Sequence, residues 1–146
     1  MREARWESGW FRVPSEVRWR DLDGLGHVNN AVFFSFFEWA RTKYWLALRE
    51  RSAPSPESIE FIVAHAECDF IRQLGLLEQI ETLVRVGEIR TSSFDFEYEI
   101  RRIEGNELVA TGKVVAVHYS WSKNAKAPIG DDLRSRIRAF QHEGEG

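Results

Sequence analysis

Between Asn30 and Glu50 the apolar residues Phe33, Phe36, Phe37, Ala40, Tyr44 and Leu48 recur at steps of three and four, and this stripe limits the possible folds more than any other feature. It lines one face of a helix of about 20 residues, roughly 30 Å long. A stripe so long and so aromatic has to be covered. After the helix the periodicity changes to two: Ile59 to Ile71, Ile80 to Val86, Phe94 to Ile103 and Leu108 to Tyr119 are rich in β-branched and aromatic residues and bounded by turn residues. The third of these segments places Phe94, Phe96, Tyr98 and Ile100 on one face and Asp95, Glu97, Glu99 and Arg101 on the other, one core and one wet.

A fifth, short strand is expected before the helix, from Glu16 to Arg20, where Val17 and Trp19 alternate with Arg18 and Arg20. Glu104-Gly105-Asn106 is a connection of hairpin type, and Gly75 and Gly87 punctuate the earlier joins. Parallel pairing would need crossovers that the chain lacks. The expected architecture is α+β: a curved antiparallel five-stranded sheet wrapped around one long helix. Arg51 to Ser58, with Pro54 and Pro56, reads as a loop, as does Ser122 to Gly130; Asp131 to Phe140 suits a short helix, and Gln141 to Gly146 a frayed end. The 146 residues suit a single domain over 1–146, with its core at about 16–121.

The net charge of −3 comes from 23 acidic and 20 basic residues, evenly mixed, so nothing steers the chain toward nucleic acid. The lone cysteine, Cys68, lies in a strand-like run, reads as a small buried hydrophobe and fits a reducing compartment. Met1 to Val13 contains no apolar core of signal-peptide length, and no stretch approaches the ~20 apolar residues of a membrane span. A soluble cytoplasmic protein is expected. No Gly-x-Ser-x-Gly elbow, P-loop or dinucleotide fingerprint is present.

The chemistry is concentrated in Asp21-Leu22-Asp23-Gly24-Leu25-Gly26-His27-Val28-Asn29-Asn30, just before the helix. If the helix begins near Asn29, the amides of its first turn lack intrahelical partners and suit a carbonyl becoming an oxyanion. A carboxylate there can act as a nucleophile or as a base for water, and Asp23 is the first candidate. Aspartate is equally an N-cap and turn residue, so composition leaves both roles open, and Asp21 has the weaker claim. His27 can orient a substrate or a water, or simply fix the loop by hydrogen bonding. Asn29 and Asn30 are good cap and turn residues whatever else they do. Asp21, Asp23 and His27 could in principle hold a metal, but the remaining histidines show no matching ligand spacing, and no cofactor or metal is required.

The order of strand, Asp-x-Asp, two glycines, His-Val-Asn-Asn, aromatic helix and four strands resembles the hotdog-fold acyl-CoA thioesterases of the 4-hydroxybenzoyl-CoA thioesterase-like family. The likeness runs from about Glu16 to Trp121. Its most specific parts are Asp23 to Asn30, followed by Phe33 and by Glu38-Trp39-Ala40-Arg41, similar to the family's Gly-His-Val-Asn-Asn and Glu-x-Ala-Arg signatures. Ala66 to Phe70 and Arg90-Thr91-Ser92-Ser93-Phe94 are similar to later strand segments. Two departures stand out: Phe33 where tyrosine is common, and Gln73 where proline is frequent.

The resemblance implies a hotdog fold, a homodimer with sites at the subunit interface, often paired into a dimer of dimers, and a substrate that is an acyl thioester of coenzyme A or of an acyl carrier protein. It implies Asp23 as nucleophile or general base, Asn30 as a helix-start amide on the thioester carbonyl, and His27 and Asn29 as polar residues shaping the site. Glu38 is a secondary candidate, because on the helical wheel it lies off the aromatic stripe and a surface pairing with Arg41 explains it as well. Substrate contacts are expected at Phe33, Arg90 and Ser92, with Arg90, Lys123 and Lys126 the basic residues available to the phosphates. The rival reading is a noncatalytic hotdog that binds acyl-CoA or an acyl carrier protein. Acyl thioester hydration or dehydration on the same fold fits less well.

Overall fold

The computed structural model describes residues 3–50 and 61–145. The proline-bearing loop expected at 51–58 and the first two residues of the strand expected at 59–71 lie outside the described residues. The chain opens with a hairpin, β1 (Arg5–Glu7) and β2 (Trp10–Glu16), turned through Ser8 and Gly9. The strand expected at 16–20 is therefore placed too late. The chain leaves β2 after Glu16 and forms a single 3-10 turn at Trp19–Asp21, which buries Val17 but leaves Trp19 79% exposed. Pro14 lies inside β2, where a proline argues against a strand. It is tolerated because β1 ends opposite Arg12 and covers β2 no further.

The helix α1 (Asn30–Glu50) forms where the aromatic stripe requires it, burying Phe33, Phe36, Phe37, Ala40, Tyr44, Trp45 and Leu48. It lies against a sheet built from β2 and from β3 (Phe61–Phe70), β4 (Gln79–Ile89), β5 (Ser93–Arg102) and β6 (Leu108–Ser120). The sheet order is β1-β2-β4-β5-β6-β3, antiparallel throughout, and a two-residue β7 (Ala125–Lys126) pairs with the end of β6. Among the described residues seven strands replace the expected five, the two additions being too short to show a period. Gly87 does not separate strands; it lies within β4, beside the register shift between Val86 and Ile89.

The inward face of β5 carries Phe94, Phe96, Tyr98 and Ile100 as expected, yet Asp95 on the other face is also buried. Arg90 accounts for this, donating to both carboxylate oxygens of Asp95. The Phe37 ring stacks on Tyr98 at 4.3 Å, and Gly112 on β6 makes room: a Cβ there would stand 2.4 Å from the Phe37 ring.

The C-terminal helix is longer than expected. α2 (Asp131–Glu145) runs through the residues expected to fray, burying Ile137 and Phe140. Gln141 explains the extension, because its side-chain oxygen accepts hydrogen bonds from the Tyr44 hydroxyl at 2.5 Å and from the Val86 amide at 2.9 Å. Trp6 of β1 joins the same corner, with its ring 5.1 Å from Phe140 and 5.4 Å from Phe11. Both ends of the chain thus contribute to the core.

At the other side of the sheet β3 is an edge strand, paired among the described residues only with β6. Eight of its ten residues are exposed, among them Ile62, Val63 and Phe70. No described helix is long and apolar enough to cross a membrane.

Candidate active site

The loop ahead of α1 is held by its backbone. Leu22 and Val28 form an isolated antiparallel bridge, the Asp23 N–H donates to the His27 carbonyl at 2.8 Å, and the Gly26 N–H donates to the Asp23 carbonyl at 3.1 Å. Gly26 has φ +81°, in the left-handed region that glycine enters without strain. Buried Val28 donates to the Leu74 carbonyl at 2.9 Å, and the Asn29 N–H to the Asp21 carbonyl at 3.0 Å. These bonds tie the loop both to itself and to the segment joining β3 and β4.

Within that frame the two aspartates differ. Asp21 spends Oδ2 on the Arg18 N–H at 2.8 Å, which is a turn-building role. Asp23 accepts from the Leu25 N–H through Oδ1 at 2.8 Å, and its Oδ2 faces no donor among the described residues. Its side chain is exposed, as is that of His27. Asn29 acts as the helix cap, its Oδ1 accepting from the Ala31 N–H at 2.9 Å and its carbonyl from the Val32 N–H. The amide left over is that of Asn30, the first helical residue, which meets no acceptor among the described residues. Asp23, His27 and Asn29 thus share one backbone-tied loop that ends at Asn30, the first residue of α1.

The other expected site residues lie elsewhere. Phe33 is buried, its ring edge-on to Phe70 at 5.1 Å and to Phe36 at 6.1 Å. Arg90 and Ser92 stand at the β4–β5 turn. Arg90 is committed to Asp95, Glu88 and the Ser93 hydroxyl, so its charge is already balanced. The Ser92 carbonyl accepts from the His118 N–H. Glu38 is exposed and faces Arg41 at 3.6 Å, the surface pairing that its position on the wheel suggests.

Glu38 also borders a slot of about 260 Å³ between α1 and the sheet edge, with Phe34, Ser35 and Arg41 on the helix side, Val63 and Ala66 on β3 and Val114 on β6. Cys68 lies on the same strand, and burial, with Asp69 adding to it, pushes its thiol up to about 11, away from the thiolate. Arg41 and the neighbouring Tyr98 were not expected at a site. The available signal was a hydroxyl on an inward strand face that is otherwise purely apolar. A larger open groove of about 1060 Å³ runs along the opposite flank of α1, past Trp6, Trp39, Lys43 and Leu46, and includes no residue of the Asp21 to Asn30 loop.

A family profile for the thioesterase-like superfamily matches residues 17–137. The chain belongs to that superfamily. Among its relatives is an uncharacterized Bacillus subtilis protein, YsmA, 33% identical over 116 residues that make up 79% of this chain and 77% of that protein. The acyl-CoA thioesterase YbgC of Haemophilus influenzae is 27% identical over 120 residues, 81% of this chain and 88% of its own. Among solved structures, a Thermus thermophilus thioesterase complexed with coenzyme A and zinc superposes with a TM-score of 0.77 at 35% identity, covering 92% of this chain and 95% of that one. The fold of this superfamily member is the hotdog: an antiparallel sheet around one long helix.

Proposed function

We propose that this thioesterase-superfamily protein hydrolyses acyl-CoA thioesters, with Asp23 as the catalytic carboxylate. The observation that carries the proposal is that, among the described residues, the helix-start Asn30 N–H meets no acceptor and Asp23 Oδ2, in the loop just before it, meets no donor. The activity of the Haemophilus relative and the coenzyme A in the Thermus structure support the thiol half of the substrate. The thioester oxygen docks on the Asn30 N–H, where the positive end of α1 stabilises the developing oxyanion. Asp23 either takes a proton from a water that attacks the carbonyl carbon, or attacks that carbon itself to give an anhydride that water then opens. Either way the C–S bond breaks and a free acid and a thiol leave. No step uses a metal.

His27 and Asn29 shape the loop around the carbonyl. Two copies pair along the exposed edge of β3, each completing the other's site, and the single thiol and even charge suit a cytoplasmic setting. Replacing Asp23 with Asn is expected to preserve the melting temperature and to lower turnover of the best acyl-CoA by about 100-fold or more. Free thiol release across short, long and aromatic acyl-CoA esters measures this. Full activity in D23N removes Asp23 from the mechanism, and binding without turnover across the whole panel would favour a noncatalytic acyl-CoA binder.

A further inference from the structure

Tyr98 carries a hydroxyl where the strand's pattern has no use for one. The residue is 2% exposed, and its buried oxygen has no partner in good hydrogen-bond geometry among the described residues. Phenylalanine would fill the same volume without leaving a polar group unpaired. Burial pushes the hydroxyl's pKa up, and the Arg41 guanidinium, close enough to act through its charge and a loose hydrogen bond, pulls it partway back.

Arg41 is itself unusual. Its side chain is 14% exposed, and Glu38, the carboxylate facing it, stands 3.6 Å away, beyond hydrogen-bonding distance, and is 71% exposed. The guanidinium therefore borders the α1–β3 slot with donors still available. Of the remaining lining, Phe34, Val63, Ala66 and Val114 are apolar, while Ser35 and the exposed Glu38 are polar. A largely apolar slot lined by a permanently charged guanidinium, with a buried hydroxyl adjacent to that guanidinium, suits an anionic acceptor. A carboxylate matches it best, because its two oxygens fit a guanidinium in a forked pair. A neutral hydroxyl would fill one hydrogen bond and leave the guanidinium with only the exposed Glu38 to balance it. The slot has room for roughly nine groups of water size, at about 30 Å³ each, so its occupant is short.

We propose that the slot between α1 and β3 is the acyl subsite, and that Arg41 with the Tyr98 hydroxyl beside it selects short acyl groups ending in a carboxylate. The proposal rests on the thioesterase reading above and assigns its substrate class. Adipoyl-CoA and hexanoyl-CoA provide the test, since they share a chain length and differ in the terminal carboxylate. The wild-type protein is expected to prefer adipoyl-CoA by about tenfold or more in kcat/KM. Arg41→Gln should erase that preference, and Tyr98→Phe, which keeps the ring stack on Phe37, should reduce it several-fold. Equal turnover of the two esters by the wild type overturns the proposal. So does an unchanged ratio in R41Q accompanied by an altered mass in light scattering, which would make Arg41 a subunit contact. If neither ester is turned over, the thioesterase reading fails separately, and calorimetric affinities still decide the subsite: tighter adipoyl-CoA binding that is lost in R41Q supports it, and equal binding rejects it.

Discussion

Gly112 controls more of the interior than its size suggests. An added Cβ would meet the Phe37 ring at 2.4 Å and the Glu67 carbonyl oxygen at 2.8 Å, and backbone cannot yield as a flexible side chain does. Gly112→Ala is expected to cost about 1–3 kcal/mol in urea denaturation, and to disturb the Phe37–Tyr98 stack that lies beside Arg41. None of this was legible in the sequence, where Gly112 is one small residue in a strand. The loop was half legible at this scale. Its density of carboxylates, imidazole and carboxamides pointed to a site, but Asp21 and Asp23 look alike until their oxygens are followed: Asp21 to the Arg18 amide, Asp23 to an open Oδ2.

At the scale of elements, legibility followed length. α1 and the four strands β3 to β6 each run for ten residues or more, long enough for a period to show. β1 has three residues and β7 two, and no period can be read from so few. Pro14 hides β2, and the alternation visible in the sequence falls instead in the segment that becomes the 3-10 turn. α2 was recognised but cut short, because Gln141 reads as the start of a polar tail although its amide holds α2 to α1 and β4. Gln141→Ala should therefore destabilise by about 1–3 kcal/mol, since it orphans both the Tyr44 hydroxyl and the Val86 amide. Tyr44→Phe removes a donor and frees no buried one, so it should cost only about 1 kcal/mol. Chemical denaturation of the two variants side by side would show the order, and a larger loss in Y44F would contradict it.

Across the whole molecule the sheet has two unequal edges. β1 is short and carries the charges of Arg5 and Glu7, which discourage a neighbour, whereas β3 offers ten residues with apolar side chains exposed. The proposed dimer uses the second edge. Ala64 gives access to it, because the register with β6 skips from Val63 to His65 at that point. Ala64→Pro should leave the β3–β6 pairing in place while blocking an outside strand. The expected result is a light-scattering mass that falls to one chain, with turnover lost; an intact dimer would move the interface off β3. The antiparallel sheet and its wrapped helix were legible from period alone, but a second copy leaves no trace in one chain's periodicity beyond an edge that no described residue covers.

β3 has two sides to account for. Val63 and Ala66 wall the slot proposed to hold the acyl group, while the strand's outer edge is where another copy would join. Filling the slot braces the strand, and a braced strand loses less freedom when it pairs. Thermodynamic reciprocity then requires that substrate tighten association by the same factor by which association tightens substrate, so specific activity should rise with protein concentration and the rise should shrink as substrate approaches saturation.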